Sequence, residues 1–158
     1  MATKSVDVLL KEKRIDEIVN PKIVQASPEM TVESAVKLMQ DQKSGYIVIA
    51  KNKKVVGIFT EVDVVEKILD KNINWASPVS EFMTSQPPVL NIHETVGEAI
   101  DMMGTRRLYH IPLLDEKGEL VNVISVRTLI RFLAEFYPTE VYNLPPTPHQ
   151  IMQTEEGG

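Results

Sequence analysis

From Thr31 the apolar residues Val32, Ala35, Val36 and Met39 recur at i, i+3, i+4 and i+7, which lays one apolar stripe along a helix. Thr31 precedes the stripe and is the expected N-cap, its hydroxyl accepting from a free N–H of the first turn. Residues 46–50 then form a short run rich in β-branched side chains, residues 51–54 are polar, and residues 55–59 are apolar again. Two such runs across a tight polar turn predict a β-hairpin. A second helix is predicted after Thr60, with Val62, Val65 and Ile68 facing inward. Upstream, Val6, Leu9 and Leu10 among charges predict a short amphipathic lead-in helix over residues 6–14. Asn20-Pro21 ends the next turn and admits an extended piece over residues 23–25.

The same order then returns. TVESAVKLM (31–39) recurs as TVGEAIDMM (95–103), IDEIV (15–19) as VSEFM (79–83), and GIFTEVD (57–63) as NVISVRT (122–128) with one residue inserted. The second half is therefore predicted to carry an extended piece at Val89-Leu90, a helix from Thr95, strands over 110–114 and 120–125, and a helix from Val126. Gly118 in the turn 115–118 suits a positive φ. Residues 71–78 join the halves, with Trp75 expected as a packing anchor. Pro138, Pro145, Pro146 and Pro148 break any helix after Glu135. The expected division is a lead-in helix (1–14), a first repeat (15–72), a second repeat (73–135) and a Pro-rich tail (136–158) whose end is disordered.

Composition narrows the function classes. The 158 residues are 43% hydrophobic and 25% charged with a net charge of -5, an ordinary globular balance without the basic field that nucleic acid or an anionic membrane requires. The absence of cysteine removes disulfides, thiolate metal sites and a cysteine nucleophile. No apolar run reaches the roughly 18 residues of a spanning helix. These features lead to the expectation of a cytoplasmic protein. His93 and His149 lack the spaced partners of a metal site and are expected in solvated loops. Met39, Met102 and Met103 fall on or beside the apolar stripes and are expected in the core.

The residues with the most chemistry are Gly57, Thr60 and Asp63, which place a hydroxyl at a strand-to-helix junction and a carboxylate one turn in. One carboxylate can accept both vicinal hydroxyls of a ribose, and phosphates sit readily near helix N-termini. Gly57 would let a base or sugar approach the backbone. The same spacing is also that of a capping box, which needs no ligand. The second copy keeps the hydroxyl as Ser125 but has Asn122 in place of Gly57 and Thr128 in place of Asp63. Arg106 and Arg107 close the second helix of this kind, where a basic pair also meets the negative end of the helix dipole.

Taken together, VVGIFTEVD (55–63), TVESAVKLM (31–39), VSEFMT (79–84), TVGEAI (95–100) and RLYHIPLL (107–114) resemble a tandem pair of cystathionine-β-synthase (CBS) domains, a Bateman module, over residues 15–133. The resemblance implies an α/β (α+β) fold of two pseudo-symmetric β-α-β-β-α domains packed through their sheets, usually dimerised into a disc. It implies an adenosine-containing regulator in the cleft: AMP, ADP, ATP or S-adenosylmethionine. Thr60 and Asp63 would hold the ribose. The base would lie against Ile23, Gln25 and Ala26, the backbone of Tyr46, Ile47 and Val48, and Gly57. Arg107, His110 and Arg106 would meet phosphates. Ser125 and Thr128 would form a weak second site, since the carboxylate is missing there. The implied function is a regulatory nucleotide sensor acting on a protein partner, not an enzyme, since no nucleophile with a base in register, metal set or open carboxylate pair stands out. A CBS pair that has kept the fold and serves protein interaction without a ligand is the alternative.

Overall fold

Thr31 and Thr95 each accept from the N–H three residues on, Ser34 at 3.1 Å and Glu98 at 3.2 Å, and each starts an eleven-residue helix. In the computed structural model of the chain, which describes residues 5–136, these are α2 (Val32–Gln42) and α4 (Val96–Arg106). Their stripes bury Val32, Ala35 and Met39 in one core and Val96, Ala99 and Met103 in another. Both helices end on a residue in the left-handed region, Lys43 (φ 49°) and Arg107 (φ 54°).

Each helix leads into a hairpin: β2 (Tyr46–Lys51) with β3 (Lys54–Thr60), and β6 (His110–Leu114) with β7 (Leu120–Ser125). Asn52 and Lys53 both take positive φ in the first two-residue turn, as its tight reversal requires. Gly118 does so at 76° in the longer turn of the second hairpin, residues 115–119. The predicted extended pieces are two-residue strands, β1 (Gln25–Ala26) parallel to β2 and β5 (Leu90–Asn91) parallel to β6. One strand had no apolar signature to reveal it: β4 (Thr84–Ser85) pairs antiparallel with β3, setting Thr84 opposite Ile58. The sheets run β1-β2-β3-β4 and β5-β6-β7. Ile47, Ile49 and Phe59 face the first helical core, yet Val48 and Ile58 on the opposite face are buried as well, as is Val123 in the second sheet. Burial on both faces is the condition under which near-continuous apolar runs are stable as strands.

After β3 come α3 (Glu61–Asp63), a π-turn over Val64–Ile68 and, in the second half, the regular helix α5 (Val126–Phe136). The extra residue of the π-turn shifts the phase of the side chains. Ile68 is buried as expected, but Val62 and Val65 face outward, Val65 at 62% exposure, and Val64 packs inward instead. Trp75 is 44% exposed and is not an anchor; its carbonyl accepts from Glu33 N. The lead-in helix α1 (Val6–Glu12) buries Leu9 against the second core and crosses α4, where Gly97 admits it: a Cβ there would lie 3.0 Å from the Leu10 carbonyl oxygen. Val6 stays exposed.

The two cores exchange their leading segments. Ile15, which opens the first repeat in sequence, is fully buried among Val96, Ile111 and Ile124 of the second. Its N–H donates to Glu94 O at 2.9 Å and Val96 N donates to Lys13 O at 2.8 Å. Val79 of the second repeat is fully buried among Val32, Ile47 and Phe59 of the first, with Val79 N donating to Met30 O and Val32 N to Ser77 O. His93 is not merely solvated. Its ring nitrogens lie 3.1 Å from Asp16 Oδ2 and 3.0 Å from Glu116 Oε1, linking the leading segment to the second hairpin. His149, the Pro-rich tail and the expected disorder of its end lie outside the described residues.

Candidate functional site

The strand-to-helix junction at Thr60 presents its first-turn N–H groups with no partner in the helix, and the side chains of the junction supply the acceptors. Thr60 N donates to Asp63 Oδ2 at 2.8 Å and the Thr60 hydroxyl lies 3.3 Å from the same oxygen. This is the reciprocal capping arrangement, so the structural reading of the Thr60–Asp63 spacing holds whatever else the pair does. The other oxygen, Oδ1, takes the Lys67 ammonium at 2.8 Å and the Thr84 hydroxyl at 3.4 Å. Lys67 in turn donates to Phe82 O at 2.9 Å. Asp63 is 4% exposed, and its charge is balanced within the chain.

Thr60 and Asp63 sit at the wall of a cavity of about 560 Å³ between the two halves, a size in the range of about 300–1,000 Å³ usual for small-molecule sites. The first half contributes Ile58, Glu61, Glu66 and Lys67, and the β4 region adds Thr84, Pro87 and Pro88. Opposite them stand Arg107, Leu108, Tyr109, His110, Val126 and Arg127 from the second half. Arg107 is held at the cavity by its left-handed position at the end of α4, and Arg127 by the first turn of α5. Among the described residues neither guanidinium has a hydrogen bond or an ion pair. Sequence reasoning missed Lys67, Thr84 and Arg127. Lys67 was visible as the i+4 neighbour of Asp63, whereas Thr84 arrives only through the pairing of β4 with β3.

His110 lines the cavity but is not a cation at neutral pH. Burial, with the charge of Arg127 adding to it, pushes its imidazole down to about 4. The expectation of a charged phosphate partner at this position is corrected to a neutral ring, which stacks at a tilt on Tyr46 with centroids 5.1 Å apart. A histidine whose folded pKa is depressed stabilises the fold fully above its unfolded value near 6.5 and loses that contribution as pH falls toward about 4. Between pH 7 and pH 4, chemical denaturation should therefore show wild type losing about 3 kcal/mol more stability than His110→Gln. Equal losses would place His110 in a solvated setting instead.

The remaining sequence candidates divide. Arg106 turns to another face and lines an open cavity of about 900 Å³ between α1 and α4. Ile23, Gln25, Ala26, Tyr46, Ile47, Val48 and Gly57 are not among the residues lining the Asp63 cavity. Ile47 and Val48 are fully buried and spent on packing. The space beside Gly57 is taken by Met83: a Cβ on Gly57 would collide with the Met83 sulfur and lie 2.9 Å from its Cγ and Cε. Gly57 thus admits a side chain of the neighbouring segment, not a base.

In the second copy, Asn122 is buried and tied at both ends of its amide. Nδ2 donates to Asn20 O at 2.7 Å and Oδ1 accepts from Val123 N at 2.7 Å. The residue matching Met83 in the repeat is the shorter Val19. Ser125 Oγ accepts from Thr128 N at 3.2 Å and lies 3.2 Å from the Thr128 hydroxyl, a cap with no carboxylate in it. The cavity at Thr128 is smaller, about 230 Å³, and is lined by Glu17 and Glu135 besides Lys13 and Arg131. Among the described residues no group of three or more His, Asp or Glu is placed to hold a metal, and no helix is long and apolar enough to cross a membrane.

Comparison with known proteins places this geometry in context. An uncharacterised 17.7 kDa protein of Acidianus ambivalens is 30% identical over 125 residues, 78% of this chain and 75% of that one. The chain spans 63% of a Methanopyrus kandleri relative and 20% of an Arabidopsis thaliana CBS domain-containing protein. Among solved structures, a CBS domain protein of Pyrobaculum aerophilum complexed with AMP superposes with a TM-score of 0.69 at 22% identity, over 78% of this chain and 97% of that one. A CBS domain pair in complex with 5-methylthioadenosine and S-adenosyl-L-methionine superposes with a TM-score of 0.70 at 20% identity, over 77% and 99%. The CBS domain family itself matches twice, at residues 15–70 and 79–135, and the chain belongs to that family as a CBS domain pair.

Proposed function

We propose that the chain is a regulatory module that binds an adenosine-containing metabolite in the cavity between its two CBS domains. The observation that carries this is a buried carboxylate, Asp63, on one wall of a 560 Å³ cleft, with two guanidinium groups lacking partners among the described residues, Arg107 and Arg127, on the other. The carboxylate suits the vicinal hydroxyls of a ribose, and the guanidinium groups suit phosphate oxygens, which they can meet in paired hydrogen bonds. Ile58, Pro87, Pro88, Leu108 and Tyr109 supply the apolar surface for the base. The AMP, 5-methylthioadenosine and S-adenosyl-L-methionine complexes of structurally similar CBS pairs support the adenosine part of this reading. Exposed Val65 and Leu69 after the first hairpin and Ile130 on α5 after the second support a homodimer through those faces. A chain of this length without cysteine suits a reducing, cytoplasmic setting, and the module acts on a protein partner without catalysing a reaction itself.

A thermal-shift titration against AMP, ADP, ATP, S-adenosylmethionine and NAD tests the reading. A ligand at about 100 times its dissociation constant adds about 2.7 kcal/mol, enough to raise the midpoint by several degrees. Arg107→Glu should abolish the shift given by a phosphate-bearing ligand. One feature favours the second reading, a ligand-free interaction module: every acceptor direction of Asp63 is already used within the chain. No shift with any of the five ligands would decide for it.

A further inference from the structure

We propose that Lys67 is an exchangeable counter-ion that makes the Asp63 site select phosphate-bearing adenosine ligands over uncharged or cationic ones. This rests on the adenosine reading above and adds to it the class of ligand.

A carboxylate has about four acceptor positions, and those of Asp63 are filled by Thr60 N, the Thr60 hydroxyl, the Thr84 hydroxyl and the Lys67 ammonium. A sugar diol can enter only where a donor leaves. The Thr60 N–H is fixed by the main chain at the end of β3 and cannot. Lys67 can: its side chain is 38% exposed, on a long flexible stem, and it holds Oδ1, the oxygen turned away from the cap. Once displaced, its ammonium keeps the neutral Phe82 carbonyl and loses its buried carboxylate partner, in a cleft whose walls hold Arg107 and Arg127 as well as the exposed Glu61 and Glu66.

The three ligand classes then differ. Adenosine takes the carboxylate and offers the ammonium nothing in return. A sulfonium such as that of S-adenosylmethionine brings a positive charge beside Lys67, Arg107 and Arg127 and, like adenosine, no anion for the displaced ammonium. A 5′-phosphate brings an anion into the same cavity, and the lysine exchanges one anionic partner for another. Lys67 therefore opposes binding by ligands without an anion and is close to neutral toward nucleotides.

Calorimetric titration of wild type, Lys67→Met and Lys67→Arg with adenosine, AMP and S-adenosylmethionine tests this. Methionine keeps the apolar stem and removes the charge. The expected result is that Lys67→Met binds adenosine and S-adenosylmethionine about tenfold more tightly than wild type, the scale of one charge-assisted hydrogen bond no longer competing. AMP affinity stays level or falls. Lys67→Arg keeps the wild-type preference for AMP. In wild type, AMP should also shift the ε-methylene resonance of Lys67. If Lys67→Met changes adenosine and AMP affinity by the same factor, or AMP leaves that resonance in place, the exchange is wrong while the adenosine site stands. If no variant and no wild type binds any of the three, the adenosine reading itself falls, and the exchange with it.

Discussion

Asp63→Ala is expected to lower affinity for the adenosine ligand by about a hundredfold or more, while Thr128→Ala leaves it nearly unchanged. Hydrogen bonds to a charged group contribute about 1.5–3 kcal/mol each, and the Ala variant loses every one that the ribose makes to the carboxylate. Thr128 has no charge to offer, and its hydroxyl is already engaged with Ser125. The variant should remain folded. Its main structural loss is the acceptor for Thr60 N, a cap worth about 1 kcal/mol, because Lys67 and Thr84 are open enough to be rehydrated. Asp63→Asn keeps the volume and an acceptor oxygen for the cap, so a binding loss shared by Asn and Ala variants assigns the effect to charge. Calorimetry with the best ligand of the thermal-shift panel reads all three. Equal losses from Asp63→Ala and Thr128→Ala would remove the asymmetry between the two clefts.

The second large effect is on stability. Ile15→Ala should cost about 2–5 kcal/mol, the range for emptying a fully buried aliphatic site, out of the about 5–15 kcal/mol that holds a domain together. Where the loss appears matters more than its size. Ile15 opens the first repeat yet packs on Val96, Ile111 and Ile124, so hydrogen exchange should quicken in β6 and β7 and much less in β2 and β3. The mirror variant Val79→Ala should do the reverse, through Val32, Ile47 and Phe59. Urea denaturation gives the total and exchange gives the location. Faster exchange confined to β2 and β3 in Ile15→Ala would mean that each repeat packs on its own leading segment.

Such an exchange makes the two halves one cooperative body in physical terms. Each core lacks a fully buried side chain until the other half delivers it, and each leading segment uses its N–H groups on the opposite loop. The cleft with Asp63 is part of the same design. Its carboxylate comes from the first hairpin's exit, the Thr84 hydroxyl from the segment exchanged out of the second half, and its guanidinium groups from α4 and α5. A ligand bridging these parts bears on the packing between halves, which is what a module needs if binding is to shift a conformational equilibrium.

The sequence alone determined the repeat, the N-cap at Thr31, the helix from Thr95, both hairpins, the turn at Gly118 and the pairing of Thr60 with Asp63. Apart from the repeat, which is read by comparing the two halves, each of these is written in residues within one turn or one hairpin of each other, where periodicity and capping chemistry act. It also marked position 128 as lacking the acid. The tertiary structure decided the rest. A π-turn left Val65 facing outward, Met83 took the space beside Gly57, and burial with Arg127 nearby left His110 uncharged. Arg106 and Arg107 are adjacent in sequence, yet they line different cavities because the helix ends between them and the second takes a left-handed conformation. Local hydrogen bonds and apolar periods are properties of neighbours along the chain. Which side chain fills a gap, and which charge survives burial, depends on segments that meet only when the two halves close on each other.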